Sequence, residues 1–208
     1  MLGVDLIPQV LALKRAPYEA LLASGGGLRL ALGVVFVAGL SQALGQSVVL
    51  FVNQVRPRRF VASLIVGAAL YVIGFLYLVA SIWFVARYGL GREQAFTTVV
   101  RGVGLAYAPY LLSFFVLTPY LGSFFSLLFS VWSLVAVLLA LTVLLKLTLL
   151  QAALCSVVAW LLLRVAERTV GRPLRSVASF ARQVAAGRPL EQSRARLRDL
   201  IRRGRRGE

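Results

Sequence analysis

Apolar residues fill every angular position over long stretches of this chain, and short charged turns divide those stretches into predicted elements. The longest run without a charge extends from Gly102 to Leu145. At 1.5 Å per residue it would make a helix of roughly 66 Å, about twice the hydrocarbon thickness of a bilayer. The pattern therefore predicts two membrane crossings, at 103–118 and 121–144. Pro119 marks the fold-back, because it lacks a backbone donor and pushes Thr118 out of the helical region, and Gly122 relaxes the chain just beyond. Pro109, flanked by Tyr107 and Tyr110, makes the first arm irregular, since in lipid its missing hydrogen bond must be replaced by neighbouring helices or water.

The same reading places span one at 28–52 and span two at 60–88. On span one Gly39, Gln42, Gln46 and Asn53 share a narrow sector at 100° per residue, a polar stripe that should face the bundle with its amides hydrogen-bonded across helices. Span two repeats Gly67, Gly74 and Ser81 every seven residues. This predicts a seam for close helix approach, with a ligand groove as the alternative. Trp83 and Tyr88 suit the interface. Residues 89–101 read as a loop with a short amphipathic helix.

Beyond the fold-back, Ser123, Ser126, Ser130 and Ser133 form a row with Trp132 beside them. Serines at this spacing allow helix contact and bond back to the preceding turn, although such a row in water-filled surroundings would line a path. Lys146 separates this helix from span five at 149–163, where Gln151, Cys155 and Ala159 share a face. Residues 1–27 are too charged to span; they predict an interfacial amphipathic segment, broken by Pro8 and Pro17 and ending in a Gly25-Gly26-Gly27 hinge. Residues 166–208 form an Arg-rich tail with a predicted helix from Pro173 to Ala186 that Gly187 stops. The predicted architecture is an all-α polytopic transmembrane helical bundle (28–165) of about five spans, with a basic amphipathic C-terminal helical tail.

The segment GLAYAPYLL, the Pro-Tyr-Leu-Gly turn and SVWSLVAVLLAL, carrying Tyr107, Pro109, Pro119, Gly122 and Trp132, resemble the core of the Yip (Ypt/Rab-interacting protein) domain family. The sequence RAPYEALL, Arg15 to Leu22, is similar to that family's entry segment. The resemblance covers about residues 10 to 165. It implies a small membrane protein of five spans with a cytoplasmic amino terminus that shapes membranes or recruits partners. The acidic Asp-Leu-Tyr-Gly-Pro type motif of the eukaryotic members is not in this chain, so small-GTPase binding is not part of the implication.

Composition sharpens the class. With 60% hydrophobic residues, 14% charged residues and a mean hydropathy of +0.85, the chain belongs in a membrane. Its formal charge of +16 is concentrated at the end, where Arg164 to Glu208 holds 13 Arg against 4 acids. Beside a membrane bundle the counterpart of such a tail is an anionic lipid surface, worth about 1 kcal/mol per Arg, rather than nucleic acid. Arg172, Arg175, Arg182, Arg202 and Arg203 are the predicted lipid contacts. The chain has no His, a single Cys and a single Met, so no metal site, cofactor site or His-based catalysis is predicted. The amino terminus lacks the pattern of a cleavable signal, and the first span is expected to direct insertion.

All seven acids (Asp5, Glu19, Glu93, Glu167, Glu191, Asp199 and Glu208) fall outside the predicted spans, which argues against a proton- or sodium-coupled carrier. The favoured function is a non-enzymatic membrane scaffold of Yip type, whose partners are membrane lipids with anionic headgroups and a membrane protein or a second copy. The alternative is an uncoupled channel, transporter or flippase passing a neutral or lipid-like solute along the Gln42, Gln46, Asn53 stripe. The positive-inside rule places the tail in the cytoplasm and, with five spans, the amino terminus outside. A re-entrant Pro109 arm would leave four crossings with both termini inside.

Overall fold

The computed structural model describes residues 5–23, 27–46, 57–118 and 120–169. Asn53, Pro119, the whole Arg tail with its predicted helix and the Arg172, Arg175, Arg182, Arg202 and Arg203 contacts lie outside the described residues, as does the Gln46 side chain.

Every regular element among the described residues is helical. Two short helices, α1 (Leu6–Leu11) and α2 (Ala16–Ala23), precede α3 (Gly27–Gln46). Next comes α4 (Pro57–Phe84), which ends in a π-helical turn, Val85–Gly89. Then α5 (Phe96–Leu105) breaks into a 3-10 helix (Ala108–Leu117). The hairpin returns as α6 (Gly122–Leu144), and α7 (Leu149–Thr169) follows the Lys146 turn.

Three stretches are long and apolar enough to cross a membrane: Gly27–Gly45, Leu64–Gly89 and Gly122–Leu144. The α5 and 3-10 pair, bent by 41°, makes a fourth if it is one broken span, and Leu149–Val165 is a shorter apolar helix. The fold is thus all-α and multi-span.

Two boundaries differ from the sequence reading. The helix that leads into the Pro109 break starts at Phe96 rather than at 103, because Val99, Val100 and Val103 turn a fully buried face inward while the charged Arg101 stays only partly exposed. Residues 89–101, read as a loop with a short amphipathic helix, do contain a helix, which begins at Phe96 and runs on to Leu105. The amino-terminal helices, expected at the interface, bury Val10, Tyr18 and Leu21 completely against protein.

The core is one cluster in which Val34 and Val35 of α3, Phe75 and Val79 of α4, Val103 of α5, Val137 and Leu141 of α6 and Cys155 of α7 meet. Register follows from close approaches. A methyl at Gly104 would lie 2.9 Å from the Ala31 Cβ, and one at Gly45 would lie 3.1 Å from the Ser113 carbonyl, so α3 runs parallel to the bent pair along its length. Leu144 packs on Gly102 and the Ser133 side chain meets Ala106, so α6 runs antiparallel to that pair. Tyr120, fully exposed and with φ of 67°, forms the hairpin tip.

Candidate functional site

The helix break is the first chemically unusual place in the bundle, and its geometry begins with Pro109. With no amide hydrogen at 109 the α pattern cannot continue, and the amide of Tyr110 turns to the carbonyl of Tyr107 at 3.0 Å. In an α-helix that amide would serve the carbonyl of Ala106. The Ser133 hydroxyl, buried on α6, donates to Ala106 instead, at 3.1 Å.

A second serine repairs the 3-10 stretch. The Ser41 hydroxyl on α3 donates to the Leu111 carbonyl and accepts from the Phe114 amide, both at 2.9 Å. Leu111 and Phe114 are the pair that one 3-10 turn joins, so Ser41 clamps an element whose own hydrogen bonds have poor geometry over ten residues. These two hydroxyls supply from other helices what the broken backbone lacks, as a hydrocarbon environment requires.

Two further ties hold the amino-terminal helices. Trp132 donates from Nε1 to the Leu11 carbonyl at 3.1 Å, and the Tyr18 hydroxyl donates to the Ala136 carbonyl at 3.3 Å. Burial pushes the Tyr18 phenol above its usual value, so the donor stays protonated. At the far end of α4, Trp83 donates to the Gln94 carbonyl, stacks edge-on with Tyr88 and Phe96, and carries the Arg87 guanidinium 5.7 Å from its ring centre. Arg92 reaches the carbonyl of Lys146, joining the two turns on that side.

The predicted stripe and seam are distributed differently from one another. Gln42 is half-buried, and its Oε1 is fully buried with no hydrogen-bond partner, so the cross-helix amide bonding expected there is not formed by that oxygen. Gly67 faces α3, where a methyl would lie 3.4 Å from the Ala43 Cβ. Gly39, on the facing helix, lies against Tyr71. Gly74 is exposed with open space around it, and Ser81 bonds back to the Tyr77 carbonyl at 3.0 Å. In the serine row, Ser126 is exposed, Ser130 bonds back to its carbonyl at 2.8 Å, and Ser133 alone turns inward to another element. Gly122 sits against the Val116 carbonyl, where any side chain would collide.

The break also shapes a cavity of about 490 Å³, walled by α4, α6 and α7. Tyr107 and Tyr110 reach its lining from the break, and Tyr107 belongs to an aromatic cluster with Tyr71, Phe75 and Tyr110 at ring separations of 6.1, 5.1 and 5.3 Å. Its walls are otherwise apolar apart from Ser130, Ser133, Ser156 and the indole of Trp160. Among the described residues no group of three or more His, Cys, Asp or Glu side chains gathers in metal-binding distance. Cys155 is buried with its thiol directed at the Ile82 carbonyl, 3.7 Å away.

Sequence reasoning identified Ser133, Pro109 and Trp132 but not Ser41 or Tyr18. Ser41 had one available signal: a small hydroxyl one residue from the Gln42 stripe. Compared with protein-family models, curated proteins and solved structures, the chain matches none.

Proposed function

We propose that this chain is a Yip-type membrane scaffold that organises its surroundings through its helical bundle and its Arg-rich tail, without catalytic chemistry of its own. The observation that carries the reading is how the polar groups inside the bundle are used. Ser41, Ser133, Trp132 and Tyr18 each tie one helix to another, and the helices Gly27–Gln46, Pro57–Phe84, Phe96–Leu105 and Gly122–Leu144 contain no acidic residue. Such an interior favours a fixed shape over the alternating shapes of a coupled carrier. The Yip-like Tyr107, Pro109, Gly122 and Trp132 fall at the break, at the hairpin and at the tie to α1, which supports assigning them structural work.

In this reading the bent pair is the third of five crossings and Leu149–Val165, at the short end of the range of about 17–25 residues for a spanning helix, is the fifth. The tail then lies in the cytoplasm, where its Arg residues meet anionic headgroups, and a membrane protein or a second copy docks on the lipid-facing helices. A second reading, uncoupled passage of a neutral or lipid-like solute, is favoured by the cavity beside the break.

Reconstitution separates the two. The full chain in sealed liposomes is expected to leave both fluorescent-lipid scrambling and efflux of a small neutral dye at the protein-free rate. Flux well above that rate, lost on narrowing the cavity, would establish passage and overturn the scaffold.

A further inference from the structure

We infer that the cavity beside the helix break binds one uncharged, single-chain amphiphile, whose ester or hydroxyl head is held by Tyr107 and Tyr110 and whose chain lies between α6 and α7. The inference concerns the ligand of this cavity and holds whether the protein is a scaffold or a carrier.

The class of ligand follows from the walls. No Asp, Glu, Lys or Arg lines the cavity, and Arg164 beside it is stacked on the lining residue Trp160, 5.1 Å from the ring centre, so a charged headgroup placed among the lining side chains would lose its hydration without a counter-ion in direct contact. Leu78 and Ile82 from α4, Leu134 and Val137 from α6 and Val157 from α7 offer a hydrocarbon surface. The volume of about 490 Å³ lies within the roughly 300–1,000 Å³ of small-molecule sites. Along α6 the lining runs from Ser130 to Leu138, about 12 Å at helical rise, less than half of a hydrocarbon core of about 30 Å. That length takes one chain or part of one, not a two-chain phospholipid standing upright.

The polar lining is asymmetric. The three serine protons are already engaged: Ser130 donates to the Ser126 carbonyl, Ser133 to Ala106 and Ser156 to Ala152. Their oxygens remain able to accept. Neither the Tyr107 nor the Tyr110 phenol makes a hydrogen bond to another of the described residues, and both residues line the cavity. The lining therefore combines the two phenols with three serine oxygens that can accept, among otherwise apolar walls and the Trp160 indole. A hydroxyl-bearing ester satisfies both kinds of group, whereas an alkane satisfies neither and leaves two phenols without partners in hydrocarbon. The break is what brings the two tyrosines here, because Pro109 turns the chain between them.

The test uses the full chain in phosphatidylcholine nanodiscs and a monoacylglycerol carrying a diazirine in its chain. Labelling is expected at 130–138 and 153–160, and unlabelled monoacylglycerol should compete at least five-fold better than lysophosphatidylglycerol of the same chain length. The double variant Tyr107→Phe/Tyr110→Phe keeps both rings and should lower labelling about ten-fold with helix content unchanged. Val157→Trp, at a half-exposed wall position, should abolish it by filling the trough and serves as the second variant if the tyrosine pair fails to fold. Labelling spread evenly over lipid-facing helices, labelling indifferent to Val157→Trp, or equal competition by the anionic lipid would overturn the assignment. Labelling lost in these variants while any lipid flux of the unaltered chain persists would support the site and separate it from a path of passage.

Discussion

A single hydroxyl can hold a helix break only if both of its hydrogen-bonding functions are used, and Ser41 is the residue where this occurs. Ser41→Ala removes a donor from Leu111 and an acceptor from Phe114 at once, and in a buried setting each unsatisfied group costs about 1–3 kcal/mol. Ser130→Ala removes only a bond to its own preceding turn on an exposed face and should change stability by less than about 0.5 kcal/mol. Thermal unfolding of the detergent-solubilised protein is expected to show a clear loss for the first and none for the second; equal losses would remove the special role of the clamp. Glycines divide in the same way. Gly104→Ala drives a methyl to 2.9 Å from Ala31 Cβ, backed by backbone atoms that cannot rotate away, while Gly74→Ala meets open space. The first should destabilise and the second should be neutral. The sequence could not separate Gly67, which faces Ala43, from Gly74, since a period of seven marks a helix side but not which part of it has a neighbour.

Whole elements were legible where hydropathy alone decides them. Spans near 28–52, 60–88 and 121–144 correspond to α3, α4 and α6 because an unbroken apolar run has no soluble alternative. Legibility failed where a charge entered a helix or where a distant partner fixed the position. Arg101 made the short amphipathic helix look separate from the run that follows it, although the valines around it bury and the helix continues to Leu105. The protein contacts of the amino-terminal helices were not legible because their partners, Trp132 and Ala136, lie more than 100 residues away, with sequence separations of 121 and 118. No local pattern reports such a contact. Trp132→Phe keeps an aromatic side chain, though a smaller one, and deletes the Nε1 donor, so α1 should loosen while α6 stays folded. Hydrogen exchange is expected to rise at 6–12 and to stay unchanged at 125–140; protection unchanged at both would mean that burial of Val10 and Tyr18, not the indole bond, retains these helices.

At the scale of the molecule the outstanding quantity is the number of crossings, and the bent pair decides it. A re-entrant segment enters and leaves on one side, so its ends must lie at one level of the bundle. Here Gly104 lies by Ala31 near the start of α3, and Ser113 lies by Gly45 near its end, so the pair advances along nearly the full length of a spanning helix. A bend of 41° redirects a chain without reversing it. Antiparallel α6 then returns to the level of Gly102, and α7 runs back beside α4 through Cys155 and Ile82. Followed in order, these directions put the turn at Tyr120 and the start of the tail on one side, together with Arg58 and Arg59, and put Arg87, Arg92 and Lys146 on the other. Positive charge then favours the tail side as cytoplasmic. Reporter fusions after Ala86, Tyr120, Lys146 and Arg188 should therefore read outside, inside, outside, inside. The same sidedness at Ala86 and Tyr120 would make the broken pair re-entrant despite its register with α3, and an outside signal at Arg188 would place the Arg-rich tail away from the cytoplasmic lipid surface on which its proposed role depends.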